Sequence, residues 1–266
     1  MIKIRKLICL GLVLIMGLYL NEGILVKAST VNEINPQIAE MTDSEFDTFL
    51  VNYLVNNTKA GISELEIRSR LQTMGIQLGD INTVNYYNTS TSINSLPSPS
   101  KISPTQASIT TTIAKVANQS TYRIYTYVNL QAKETEPGAL DLLSIEWDPS
   151  VATYSKNDHD SSYTSYMDGS QSSKGIILFN IDDSLLTTRD VIAYGSVYVT
   201  PKKSATMKTY SKYIHTYSKA SVTWTIGGNI SYGTGGLAGG STFSLTGSTV
   251  PDNWQIAADG SINVVK

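Results

Sequence analysis

The chain has 266 residues, 41% of them hydrophobic, a formal net charge of −2, two histidines and one cysteine. One cysteine excludes an internal disulfide framework and any multi-cysteine metal centre, and two histidines leave no multi-histidine site. The charge balance carries no strongly basic signature, and no nucleic-acid partner is expected.

Met1 to Lys6 is a basic head, Leu7 to Leu20 an apolar run, and Val26-Lys27-Ala28 offers small residues where a signal peptidase reads. Residues 1–28 are therefore expected to be a signal peptide and the protein to be secreted, that is, extracellular. The apolar run falls short of the roughly 20 residues that span a bilayer. Cys9 lies inside it, so the mature chain holds no cysteine and thiol chemistry is excluded. Removing residues 1–28 leaves 16 basic and 21 acidic residues, a net −5.

From Met41 to Leu78 the periodicity predicts two helices. Thr42 with Glu45 reads as a capping box, and Phe46, Phe49, Leu50, Tyr53 and Leu54 recur at helical spacing. Gly61 breaks the run. Ser63 can cap a second helix carrying Leu65, Ile67, Leu71 and Met74, ended by Gly75. Residues 29–79 are thus expected to be a helical segment too small for its own core, either docked or a removable pro-segment. Residues 80–105, rich in Ser, Thr, Asn and Pro, read as a linker.

From 106 to 266 short β-branched and aromatic runs alternate with Gly, Pro, Asn, Asp and Ser clusters. They include SITTTIAKVA, TYRIYTYVNLQA, ALDLLSIEW, GIILFNI, DVIAYGSVYVT and WQIAA. The predicted fold is mainly β, an antiparallel β-sandwich preceded by a small helical hairpin and a Ser/Pro-rich linker.

Motifs for chemistry are sparse. P-loop, GxSxG, HExxH and EF-hand patterns are absent from the sequence. Asn157-Asp158-His159-Asp160 with Asp168-Gly169 could hold a divalent cation, but a polar loop between strands looks the same in sequence and is the commoner arrangement. Carboxylate pairs that a hydrolase could use are Glu134 with Glu136, Glu146 with Asp148, and Asp182 with Asp183, with Asp141 besides. Each is explained by turn chemistry, so no catalytic residue, metal or cofactor is assigned.

The acid-free stretch from Val191 to Pro251 carries five lysines, Lys202, Lys203, Lys208, Lys212 and Lys219. With Tyr210 they are the candidate contact surface for an anionic envelope or membrane; the alternative is that they guard strand edges. Along KTYSKYIHTY, alternation puts Tyr213 and His215 on one face with Met207, and Lys208, Tyr210, Lys212 and Ile214 on the other, expected to face water. His215 reads as a partly buried strand histidine. Ala220 to Pro251 is uncharged. Val222, Trp224 and Ile226 alternate with threonines, Phe243 and Leu245 with Ser and Thr, and GTGGLAGG lies between. The two arms suit a membrane-spanning β-hairpin that would need several copies of the chain to pair its edges, or else a sandwich hairpin with its apolar side inward.

The region from Tyr122 through SIEWDPS, GIILFNIDD, YGSVYVTPKKS, KYIHTYS and the Gly/Ser/Thr segment resembles secreted cysteine-free β-rich Gram-positive proteins, the large bacteriocins of the geobacillin kind. The resemblance implies an antibacterial or envelope-directed activity and transfers no site residue. The expectation is a secreted, non-enzymatic protein acting on a bacterial envelope or membrane, homo-oligomeric if it forms pores. The alternative is a cell-wall or glycan-binding module that offers Trp147, Trp224 and Trp254 to sugar rings.

Overall fold

The computed structural model describes residues 34–85, 102, 106–132, 140–185, 191–216, 223–231, 240–246 and 253–266. The expected signal peptide, Lys219, Val222, Glu134 and Glu136 lie outside these residues, and of the side chains of Trp224 and Leu245 nothing is described.

Three helices open the described chain: α1 (Pro36–Glu40), α2 (Asp43–Lys59) and α3 (Glu64–Thr73). The capping box forms as predicted. Thr42 Oγ1 accepts from the Glu45 amide, and Glu45 Oε2 accepts from the Thr42 amide at 2.9 Å. Ser63 Oγ caps α3 by accepting from the Glu66 amide at 3.3 Å. Ile67 and Leu71 are buried, whereas Leu65 is 79% exposed, because the face toward the rest of the protein is narrower than the apolar count suggests.

The strands form two antiparallel sheets. One holds β1 (Ile76–Leu78), β3 (Ala107–Val116), β4 (Tyr122–Leu130), β9 (Val191–Pro201) and β6 (Ala152–His159) in that order, with β2 (Asn82–Asn85) also on β3. The other runs β13 (Asn253–Val264), β10 (Ala205–Thr216), β5 (Asp141–Trp147), β8 (Ile176–Ile181) and β7 (Thr164–Tyr166). Strand structure therefore begins at Ile76 rather than at 106, and Asn82–Asn85, within the expected linker, pairs with Ser108–Thr111. Ile102, also in that span, is fully buried in the central core.

The inward faces make that core from Ile109, Ile113, Ile124, Val128, Leu143, Ile145, Trp147, Phe179, Val197, Met207, Tyr213, Trp254 and Ile256, among others. Each sheet is covered on its other side as well. Phe46, Leu50, Leu54, Ile67 and Leu71 of the helices pack with Tyr125, Tyr127 and Tyr194 of the first sheet. On the second, Ile226 and Phe243 pack against Leu142, Ile176, Leu178 and Ile214. These two belong to a separate hairpin, β11 (Thr223–Ser231) with β12 (Gly240–Thr246), in which Trp224 pairs with Leu245 and Ile226 with Phe243. The described order is helices, sheet, sheet, hairpin.

Polar anchors fix the helical layer. Asp47 of α2 is fully buried and accepts from Tyr125 Oη at 2.6 Å, Ser196 Oγ at 2.5 Å, Tyr198 Oη at 2.8 Å and Arg123 Nη1 at 3.2 Å. Burial pushes its carboxyl above the ordinary range, against the pull of those donors. Arg123 Nη2 also reaches Asp43 at 2.8 Å.

Candidate functional site

The β10–β13 register sets the first site. Lys208 pairs with Ser261 and Tyr210 with Asp259, so all four project to the outer face of their sheet at its edge. The turn between β1 and β2 closes over that edge, where the Asp80 amide donates to the Ser261 carbonyl at 3.1 Å. A groove of about 350 Å³ results, lined by Glu64, Asp80, Asn82, Lys208, Tyr210, Asp259 and Ser261.

Its walls are cross-braced. Ser261 Oγ donates to Asp80 Oδ2 at 2.6 Å, Arg68 Nη2 donates to Asp80 Oδ1 at 2.8 Å, and Asn82 Nδ2 donates to Asp259 Oδ1 at 3.1 Å. Arg68 also pairs with Glu64. The Ser261 and Arg68 bonds hold the Asp80 carboxyl below its usual range. Burial and the neighbouring Asp259 raise the Tyr210 phenol. Gly79 permits the close approach, since a Cβ there would lie 2.5 Å from the Ser261 carbonyl oxygen. The groove thus joins the segment after the helices to the sandwich.

The predicted lysine face divides. Lys208 is exposed in the groove. Lys202 donates to the Pro149 carbonyl at 2.7 Å and Lys203 to Ser150 Oγ at 3.4 Å, both at the turn that joins β9 to β10. Tyr210 is only 2% exposed and Lys212 5%, which corrects their assignment to a water-facing row. The alternation along β10 is as predicted, but this face is covered beyond Lys208. Lys212 Nζ donates to the Ser241 carbonyl at 2.5 Å, while Glu146 Oε2 accepts from the Ser241 amide at 2.5 Å. Burial lowers the Lys212 ammonium, with Glu146 opposing, and raises the Glu146 carboxyl, with the Ser241 bonds opposing. Ile226 and Phe243, two of the membrane-hairpin candidates, face this sheet.

His215 sits opposite, on the inner face, and is fully buried rather than partly so. Its Nδ1 lies 2.8 Å from Asp141 Oδ2 and 3.8 Å from Asp183 Oδ2. Asp141 also accepts from Tyr213 Oη at 2.5 Å and from the Thr216 amide at 2.9 Å. Asp141, Asp183 and His215 are the group among the described residues whose atoms converge as metal ligands would. The sequence marks each separately; continuing the register in which Ile214 faces Leu142 brings His215 beside Asp141.

The other candidates separate. Asn157, Asp158 and His159 lie in strand β6 rather than in a loop; Asp158 Oδ1 accepts from the adjoining His159 amide, and Asp160 Oδ1 caps the following turn by accepting from the Ser162 amide, both at 2.8 Å. Asp148 and Asp182 cap Ser150 and Ser184 in the same way. Trp147 and Trp254 are buried at 0% and 6% exposure, which corrects their offer to sugar rings. Among the described residues no helix is long and apolar enough to cross a membrane.

No protein-family model and no curated protein matches the chain. Among solved structures, the sixth cohesin of the Acetivibrio cellulolyticus scaffoldin B, in complex with a Cel5 dockerin, is 10% identical. That likeness covers 34% of this chain and 74% of the cohesin, with a TM-score of 0.24. The C-terminal domain of the Streptococcus pyogenes antigen I/II-family protein AspA is 6% identical over 42% of this chain and 51% of that one, with a TM-score of 0.28. A structure from Streptococcus parasanguinis Fap1 fimbriae is 14% identical over 70% and 96%, with a TM-score of 0.28. Scores of this size assign no function to this chain.

Proposed function

We propose that the protein is a secreted, non-enzymatic binding module that engages bacterial cell-wall polymer or glycan through the groove around Lys208. The observation that supports this reading is the groove's charge. Lys208 stands among Glu64, Asp80 and Asp259, with Arg68 bridging two of them, so carboxylates outnumber cations. An anionic lipid headgroup is repelled by that surround. A hydroxyl-rich chain is not, because each hydroxyl both donates and accepts, and the lining supplies acceptors in its carboxylates and donors in the Lys208 ammonium and the second amide proton of Asn82. The volume lies in the range of small-ligand sites, about 300–1,000 Å³, and the lining sets charged and amide groups beside the apolar surface of Ile81 and the Tyr210 ring, a mixture that suits the hydroxyls and the C–H faces of a sugar.

The test is sedimentation with purified cell walls against sedimentation with anionic liposomes. Wild type is expected to follow the walls, and a Lys208→Ala/Asp259→Asn variant to lose most of that binding while remaining folded. Binding to liposomes alone, or wall binding unchanged in the variant, would sink the reading.

A further inference from the structure

We infer that Asp141, Asp183 and His215 form a buried binding site for one divalent transition-metal ion, with Zn²⁺ the best fit. The three come from adjacent strand ends at one end of the second sheet: Asp141 opens β5, Asp183 begins the single 3-10 turn that follows β8, and His215 lies one residue before the end of β10. Asp141 pairs with Ile181, two residues before Asp183, and the β10 register brings His215 level with Asp141. Residues far apart in sequence are thus delivered to one point by strand pairing.

All three are buried, at 0%, 1% and 0% exposure. One ligand atom from each lies within 4.8 Å of the others. Zinc bonds of about 2.0–2.2 Å in a tetrahedral arrangement place ligand atoms about 3.4 Å apart. The Nδ1 separations of 2.8 Å from Asp141 and 3.8 Å from Asp183 bracket that spacing. An ion between them asks Asp141 to move back and Asp183 to move in, each by roughly half an ångström.

The donor set selects the ion. One imidazole nitrogen with two carboxylates suits zinc and its neighbours, whereas calcium takes six to eight oxygens. Two ionised carboxylates and a neutral imidazole sum to −2, which a divalent ion cancels in an interior where net charge is costly. The surroundings also orient the ligands. Tyr213 Oη donates to Asp141 Oδ2 and the Thr216 amide to Oδ1, so Asp141 is braced through both oxygens, as ligating carboxylates commonly are. Without the ion, the Nδ1 proton of His215 can bridge to Asp141. When the metal takes Nδ1, that proton moves to Nε2 and the imidazole stays neutral.

The experiment is isothermal titration of the chelator-stripped full secreted chain with Zn²⁺, and with Ca²⁺ for comparison, together with thermal melts in each ion. Wild type is expected to take up one Zn²⁺ per chain and to melt higher with zinc. Asp183→Asn and His215→Gln should each weaken zinc at least tenfold, and His159→Gln should leave it unchanged. Absence of zinc uptake by wild type overturns the inference, as does loss in His159→Gln or tighter binding of Ca²⁺ than Zn²⁺. If His215→Gln fails to fold, Asp183→Asn decides: a zinc-dependent melting shift equal to that of wild type assigns the cluster to hydrogen bonding alone.

Discussion

Lys212 on β10 donates from Nζ to the main-chain carbonyl of Ser241 on β12 at 2.5 Å, which ties the outer face of the second sheet to the hairpin that covers it. Glu146 takes the amide of the same serine, so one residue of the hairpin satisfies both buried charges. Removing one member strands the other in a desolvated position. Lys212→Met is expected to lower stability by about 3–5 kcal/mol, and the double variant Lys212→Met/Glu146→Leu to recover most of that loss, as observed for buried pairs replaced by apolar residues. Denaturant melts of the four-member cycle measure it; a Lys212→Met loss under about 0.5 kcal/mol would mean this lysine faces water after all.

The same pair gives a pH dependence. Burial raises the Glu146 carboxyl above its ordinary value of 4.5 in the folded protein. The folded state then holds the proton more tightly than the unfolded chain, so the contribution of Glu146 is fully present below about pH 4.5 and declines as pH rises through the raised value. Unfolding free energy of wild type relative to Glu146→Gln should fall as pH rises above about 4.5. A difference that rises over this window would assign the carboxyl a lowered value instead.

Asp47 anchors the helices to the first sheet through four donors. Asp47→Ala leaves Arg123 buried at 3% exposure without that carboxylate and should cost about 3–5 kcal/mol. Deleting residues 34–75 goes further, since it bares the Tyr125, Tyr127 and Tyr194 side of the sheet, and should yield insoluble or unfolded protein. A truncated chain that is soluble and melts cooperatively would favour a removable pro-segment.

Gly175 adopts φ +75°, and a Cβ there would stand 2.0 Å from the Trp147 carbonyl oxygen. Gly175→Ala must move backbone that β5 and β8 share, where the Trp147 amide donates to the Gly175 carbonyl at 2.9 Å. The left-handed conformation alone is worth about 1–3 kcal/mol against alanine, and the clash adds to it. By contrast Gly169→Ala, with open space around it at φ +100°, should show the strain alone. Comparing the two melting temperatures separates strain from collision.

How much of this was legible in the sequence follows from the range of each signal. Capping of α2 and α3 is written within four residues, and both caps form as read. Alternation along β10 correctly divides Met207, Tyr213 and His215 from Lys208, Tyr210, Lys212 and Ile214. Alternation assigns a face, however, and not what covers it. Lys212 is buried because the hairpin, some thirty residues further on, lies over it, and no local pattern carries that fact. Strand β6 escaped for a different reason: it is an edge strand, mostly polar, with an irregularity between Tyr154 and Lys156 that breaks its period. The Asp141–His215 contact and the Lys208 groove both depend on register between strands, which a composition of short β-branched runs leaves open.

Glycan recognition by the Lys208 groove is tested most directly by backbone-amide chemical-shift mapping of the full chain during titration with soluble fragments of cell-wall glycan. Saturable shifts are expected clustered at residues 80–82, 208–210 and 259–261, and absent in Lys208→Ala/Asp259→Asn. Shifts confined to the hairpin at 223–246, or none at any fragment concentration, would contradict it.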